Sequence, residues 1–241
     1  MTHINVTSAL HVLSFSPLSE ETCQVVGISS FVEDEVVSLV IPEIAPDGRK
    51  VTAIGDRAFS GMTSLQRVDV PASVETIGVR AFAFCSNLME IRFGKRNGCD
   101  SSLSHIGDRA FMGCERLTVL ALGELCGDLT CGKKVFAHCT RLRAAVLPVG
   151  MDTVYESMFE GCRALTYVRL PEELKTIRSS AFSSCLSLTA LSLPHKVSFI
   201  DDCAFAFCSS LGNVVLPEDE CVVSASAFLN CPARPDFMQA G

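Results

Sequence analysis

Val68 to Leu88 reads Val-Asp-Val-Pro-Ala-Ser-Val-Glu-Thr-Ile-Gly-Val-Arg-Ala-Phe-Ala-Phe-Cys-Ser-Asn-Leu, and the pattern returns along most of the chain. Aligned on the residue after alanine, phenylalanines stand at Phe59, Phe82, Phe111, Phe136, Phe159, Phe182, Phe205 and Phe228, with spacings of 23, 29, 25, 23, 23, 23 and 23. A fixed period of this size is the signature of a repeat architecture. Three residues after each phenylalanine come Met62, then Cys85, Cys114, Cys139, Cys162, Cys185, Cys208 and Cys231; six after it come leucines from Leu65 to Leu211. Five before it stand Ile54, Ile77, Ile106, Val154, Ile177, Ile200 and Val223, with Cys131 out of type.

After each leucine the order Leu-x-x-apolar-x-apolar predicts a short strand with one buried face. Pro71, Pro148, Pro171, Pro194 and Pro217 stop it, having no N–H for the ladder. Asp56, Asp108, Ser179 and Asp202 open the segment before the phenylalanine, where their side chains are suited to cap a helical turn. One unit is therefore expected to be strand, turn and short helix. A unit this small cannot close a core alone, so copies must stack, strands on one face and helical turns on the other. The expected class is an α/β solenoid of about eight 23-residue coils with a concave parallel sheet.

The aligned consensus, Leu-x-x-Ile-x-Ile-Pro-x-x-Val-x-x-Ile-Gly-x-x-Ala-Phe-x-x-Cys-x-x-Leu, resembles the BspA-like class of leucine-rich repeats over roughly residues 39 to 231. The resemblance implies a curved solenoid that binds other proteins. Most well-known members are surface or secreted adhesion-type proteins, which makes a cell-surface role the alternative reading. Within the units, Met158 and Val135 replace the alanine, and Tyr155, Arg178, Asp201 and Ser224 replace the glycine kept at Gly55, Gly78, Gly107 and Gly132. A left-handed backbone at that glycine is thus not required in every coil.

Residues 1–38 are expected to form an N-terminal β cap, with strands at Val12 to Phe15, Thr22 to Ile28 and Val36 to Ile41. The repeats then occupy 39–231 and a short tail 232–241, which leaves a poorly protected C-terminal edge. Length changes in a repeat array map to loops, here Glu43 to Lys50, Lys95 to Ser102 and Gly123 to Gly132.

The 241 residues carry 20 Lys plus Arg against 27 Asp plus Glu, a net charge of -7, so neither nucleic acid nor a membrane is an expected partner. No run reaches the length of a membrane span, and the first residues lack the features of a signal peptide, so the expected compartment is cytoplasmic. In that compartment the cysteine ladder is read as reduced and packed in the core, while a disulfide between coils stays geometrically conceivable. No Cys-x-x-Cys, phosphate loop or nucleophile elbow is present, and the five histidines fall at unrelated positions. Neither cofactor nor metal is expected, and the chain is read as non-enzymatic.

Alternation points the residues eight and ten after each phenylalanine onto the concave sheet. Arg67 then faces Glu90 and Asp69 faces Arg92, pairing within the chain. The middle differs: Val119, Ala121, Ala144, Val146 and Tyr167 form an apolar strip flanked by Arg143 and Arg169. These seven are the expected partner-binding residues, since exposed apolar patches mark interaction sites. The reading is a protein–protein interaction module or structural subunit of a larger intracellular assembly, binding through the concave sheet or the C-terminal edge. Phe84 and Phe207 are expected to pack over neighbouring turns on the convex side.

Overall fold

Described in this computed structural model are residues 4–6, 12–28, 36–94, 101–123, 125, 128–217 and 221–232. The strands run in chain order β1 (Ile4–Val6), β2 (Leu13–Pro17), β3 (Thr22–Ile28), β4 (Val36–Val40), β5 (Lys50–Ile54), β6 (Arg67–Val70), β7 (Thr76–Ile77), β8 (Glu90–Phe93), β9 (His105–Ile106), β10 (Val119–Ala121), β11 (Thr130–Cys131), β12 (Ala144–Val146), β13 (Thr153–Val154), β14 (Tyr167–Arg169), β15 (Thr176–Ile177), β16 (Ala190–Ser192), β17 (Phe199–Ile200), β18 (Asn213–Val215) and β19 (Val222–Val223). They build a β-solenoid of about seven turns, because eight ladder phenylalanines bound seven intervals.

Each turn has three sides. One is the expected parallel ladder, in the order β1-β4-β6-β8, then β10-β12-β14, then β16-β18. The second is a parallel ladder that sequence reasoning missed, β5-β7-β9-β11 and β13-β15-β17-β19, in which every strand after β5 has two residues. Its strands are the Thr-Ile type dipeptides ahead of each phenylalanine. The isoleucine goes inward and the threonine outward, and a run of two is too short to show a period.

The third side corrects the expected helix: among the described residues no helix forms around the phenylalanines. From Phe59 to Phe205 the residues two before and two after the phenylalanine are left-handed, as at Arg80 (φ 55°) and Phe84 (φ 62°) around Phe82. This flips alternate peptides toward the next coil. Arg80, Phe82 and Phe84 donate their N–H groups to the carbonyls of Asp108, Ala110 and Met112, while Ala81, Ala83 and Cys85 bond back within their own coil to Gly78, Arg80 and Phe82. A helix needs every amide to bond along its own axis, and here half of them belong to a neighbour. The expected caps change role likewise. Asp56 Oδ1 accepts from Val79 N at 2.7 Å and Asp108 Oδ1 from Lys133 N at 3.0 Å, each one coil on.

Gly55, Gly78, Gly107 and Gly132 have no positive φ; a Cβ at Gly78 would lie 2.6 Å from the backbone nitrogen of Asp56. Close approach of adjacent coils, rather than backbone freedom, explains the glycine there.

The core is a stack. The eight phenylalanine rings follow one another at centroid distances of 5.1 to 5.9 Å with interplanar angles of 2° to 19°, and the ladder leucines are buried beside them. At the N-terminal end β2 and β3 form the expected antiparallel hairpin, and β3 goes on to pair with β5 while β1 pairs with β4, so each ladder begins on a strand from the first 40 residues. Glu43 to Lys50 closes as a tight turn, with Val51 N bonded to Glu43 O and Ala45 N to Arg49 O. The proposed loop at Lys95 to Ser102, apart from Ser101 and Ser102, and most of the tail lie outside the described residues.

Candidate functional site

The sheet of β10, β12 and β14 is bounded on both sides by interruptions of its ladder. On the β8 side the interval is six residues longer than the repeat, and the strands part there. Inside the sheet Leu120, Ala145 and Val168 point into the core. In register across its outer surface lie Val119, Ala144 and Tyr167, and beside them Ala121, Val146 and Arg169. Val119 and Tyr167 are each 55% exposed, well above what a ladder position inside the core allows. Arg143 is exposed immediately ahead of β12; its carbonyl accepts from Thr166 N at 3.0 Å and Tyr167 N at 3.1 Å. Six of the seven residues picked from the sequence therefore lie in the strands of one three-stranded sheet, and Arg143 is exposed at its border.

Where β8 and β10 part, a cavity of about 610 Å³ opens, lined in part by Ile91, Phe93, Val119 and Ala121. Sequence reasoning did not anticipate it, although the 29-residue interval was its signal.

The expected charge pairing is partly corrected. Arg67 does bond Glu90, Nε to Oε2 at 2.7 Å, but Arg92 takes the other oxygen of the same carboxylate at 2.6 Å instead of pairing with Asp69. One Glu bridging two arginines uses both oxygens, and its carboxyl is held below the usual range, by the Arg92 hydrogen bond first, with burial opposing. That end of the sheet is internally neutralised. Farther along, Lys134 bonds Glu160 at 2.9 Å, and Lys196 bonds Glu173.

The eleven described cysteines hold no disulfide, and nine of them are buried. Each ladder sulfur from Cys85 to Cys208 donates to the phenylalanine carbonyl one coil back, at 3.1 to 3.4 Å. Desolvation pushes Cys85, Cys139 and Cys208 up to about 12, so the nucleophilic thiolate is absent at neutral pH. Cys99, which its place in the long interval after Phe82 marks as the expected exposed thiol, lies outside the described residues. His105 Nδ1 is 2.9 Å from Thr130 Oγ1, and the His138 ring lies over Gly161. Among the described residues no group of three or more His, Cys, Asp or Glu is arranged to hold a metal, and no helix is long and apolar enough to cross a membrane. Phe84 lies over Gly113, as expected, yet stays 52% exposed.

The family model for BspA type leucine-rich repeat regions matches residues 21–128 and 129–235. The chain belongs to the BspA-type leucine-rich repeat family. Among solved structures, a leucine rich cell surface protein from Faecalibacterium prausnitzii is similar at 28% identity and a TM-score of 0.72; the match covers 85% of this chain and 52% of that one, so this chain spans about half its length. A T. pallidum leucine-rich repeat protein shares the fold at 24% identity and a TM-score of 0.61, covering 95% of this chain and 90% of that one. A leucine-rich repeat protein from Eubacterium ventriosum does so at 14% identity and a TM-score of 0.51, with 96% of each chain covered. No curated protein matches the chain. The stacked phenylalanines and the thiol-to-carbonyl ladder are how this BspA-type array closes its core.

Proposed function

We propose that this BspA-type array is a non-enzymatic protein-binding module that takes its partner on the outer face of β10, β12 and β14, with residues 1–38 as its cap. The supporting observation is the contiguous apolar strip in which Val119, Ala121 and Tyr167 are exposed and Ala144 and Val146 half-buried, beside an end of the sheet where Glu90 pairs with Arg67 and Arg92. Tyr167 beside Arg143 and Arg169 has the make-up of a binding hot spot. The variant Tyr167→Ala with Val146→Glu leaves every inward residue intact. Folding is expected to survive, and the tyrosine alone to weaken binding by about 2 kcal/mol. Recovery of the same partners at native yield by the folded double variant defeats this reading.

A cell-surface location is a second reading, favoured by the description of the F. prausnitzii protein over the cytoplasmic expectation. Protease treatment of intact producing cells tests it, since only a surface copy is digested.

A further inference from the structure

Charge is distributed unevenly along the turns and strands that make up the β10, β12 and β14 side of the array. In the three coils that carry the apolar strip, residues 115–122, 140–147 and 163–170 hold five arginines (Arg116, Arg141, Arg143, Arg163 and Arg169) and one acid, Glu115, in a protein of net charge -7. The preceding segments, 63–70 and 86–93, balance Arg67 and Arg92 against Asp69 and Glu90; the following ones, 186–193 and 209–216, carry no charge. The positive charge is an island at the centre.

These side chains lie on adjoining coils. Arg141 N bonds Glu115 O at 3.2 Å, Arg143 O accepts from Tyr167 N at 3.1 Å, and Val146 is in register with Arg169. Arg116 reaches Asn87 Oδ1 at 3.3 Å. Among the described residues Arg141, Arg143, Arg163 and Arg169 form no ion pair, whereas Lys134, Lys175 and Lys196 on other sides of the array each hold a carboxylate. Clustered like charges repel one another, and among the described residues no carboxylate pairs with these four arginines.

We propose that this island recognises an acidic peptide segment of the partner, carboxylates engaging the arginines while apolar side chains between them lie on Val119, Val146 and Tyr167. The proposal rests on the concave-face reading and specifies its partner. A guanidinium forks onto a carboxylate through two parallel hydrogen bonds. The apolar strip between the arginines fits a chain that alternates acidic and apolar groups, as a peptide does and a sulfated glycan does not. Single-stranded nucleic acid calls for several stacking aromatics, and Tyr167 is the one aromatic among these seven strip and flanking residues.

The test is titration of the full chain with a dye-labelled peptide of three Glu-Val-Asp-Ser repeats, beside its Gln-Val-Asn-Ser counterpart and a heparin fragment. The acidic peptide is expected to bind at least tenfold more tightly than the amide form, and to weaken as salt rises. Arg143→Ala with Arg169→Ala, and separately Arg141→Glu with Arg163→Glu, should each remove tenfold or more while circular dichroism and melting stay native. Equal binding of the acidic and amide peptides, unchanged binding by both variants, or tighter binding of the heparin fragment overturns the proposal. If the natural partner is still lost on Tyr167→Ala while the acidic peptide does not bind, acid recognition fails and the concave-face reading stands. If the partner is recovered undiminished by Tyr167→Ala with Val146→Glu, the concave-face reading itself has failed.

Discussion

Cys162 Sγ lies 3.2 Å from the carbonyl oxygen of Phe136, one coil back, and donates its S–H to it. That oxygen already accepts Cys139 N at 3.3 Å within its own coil, so the thiol supplies the carbonyl's second bond. The cysteine is thus more than a small apolar filler. It joins the turn of one coil to the ring-bearing residue of the one before, in a region where an unmet carbonyl would be costly.

Phe159 and Phe182 are fully buried and stack at 5.5 Å in the middle of the column. Replacing either by Ala should cost about 3 to 5 kcal/mol, because neighbours held by ladders on two sides cannot collapse into the gap. The denaturant midpoint of each variant measures this; midpoints equal to the parent's would show that the column does not hold the array.

The thiol ladder predicts an alkaline weakness. An unfolded cysteine ionises near 9.0, whereas Cys139 and Cys208 in the folded chain hold their protons up to about 12 through desolvation. A folded value raised above the unfolded one gives stability that is complete below pH 9 and lost as pH climbs toward 12, by about 1.4 kcal/mol per pH unit for each such thiol. Urea midpoints followed from pH 8 to 11 should fall steeply, and less steeply in Cys139→Ala with Cys208→Ala. Native alkylation at pH 8 should be slow at every ladder sulfur; prompt labelling there contradicts the packing.

Two glycines separate steric crowding from backbone strain. Gly78→Ala sets a Cβ 2.6 Å from Asp56 N, and the coils must part, at about 1 to 3 kcal/mol. Gly61 has φ +82° and open space around it, so Gly61→Ala meets only left-handed strain of about 1 kcal/mol. Thermal melts should rank Gly78→Ala as the more damaging; the reverse order would mean that coil spacing adapts freely.

The 23-residue period was legible because every inward position must match its copy in the next coil, so phenylalanine, cysteine and leucine recur in register from Phe59 to Cys231. That Val119, Ala144 and Tyr167 stand in register on one sheet surface was legible for the same reason, since strand alternation assigns them to it. Tertiary structure alone decided what the turns are. Whether Phe82 N bonds four residues back, as in a helix, or to Ala110 O is settled by a partner 28 residues away, which local propensity does not register. The same holds for charge, since Glu90 had two arginines in reach and the geometry of β6 and β8 gave it both. It holds too for the cavity between β8 and β10, lined by residues of both strands. Periodic burial is written in residue type; hydrogen-bond direction, ion-pair choice and gaps between coils depend on contacts that exist only once the coils have stacked.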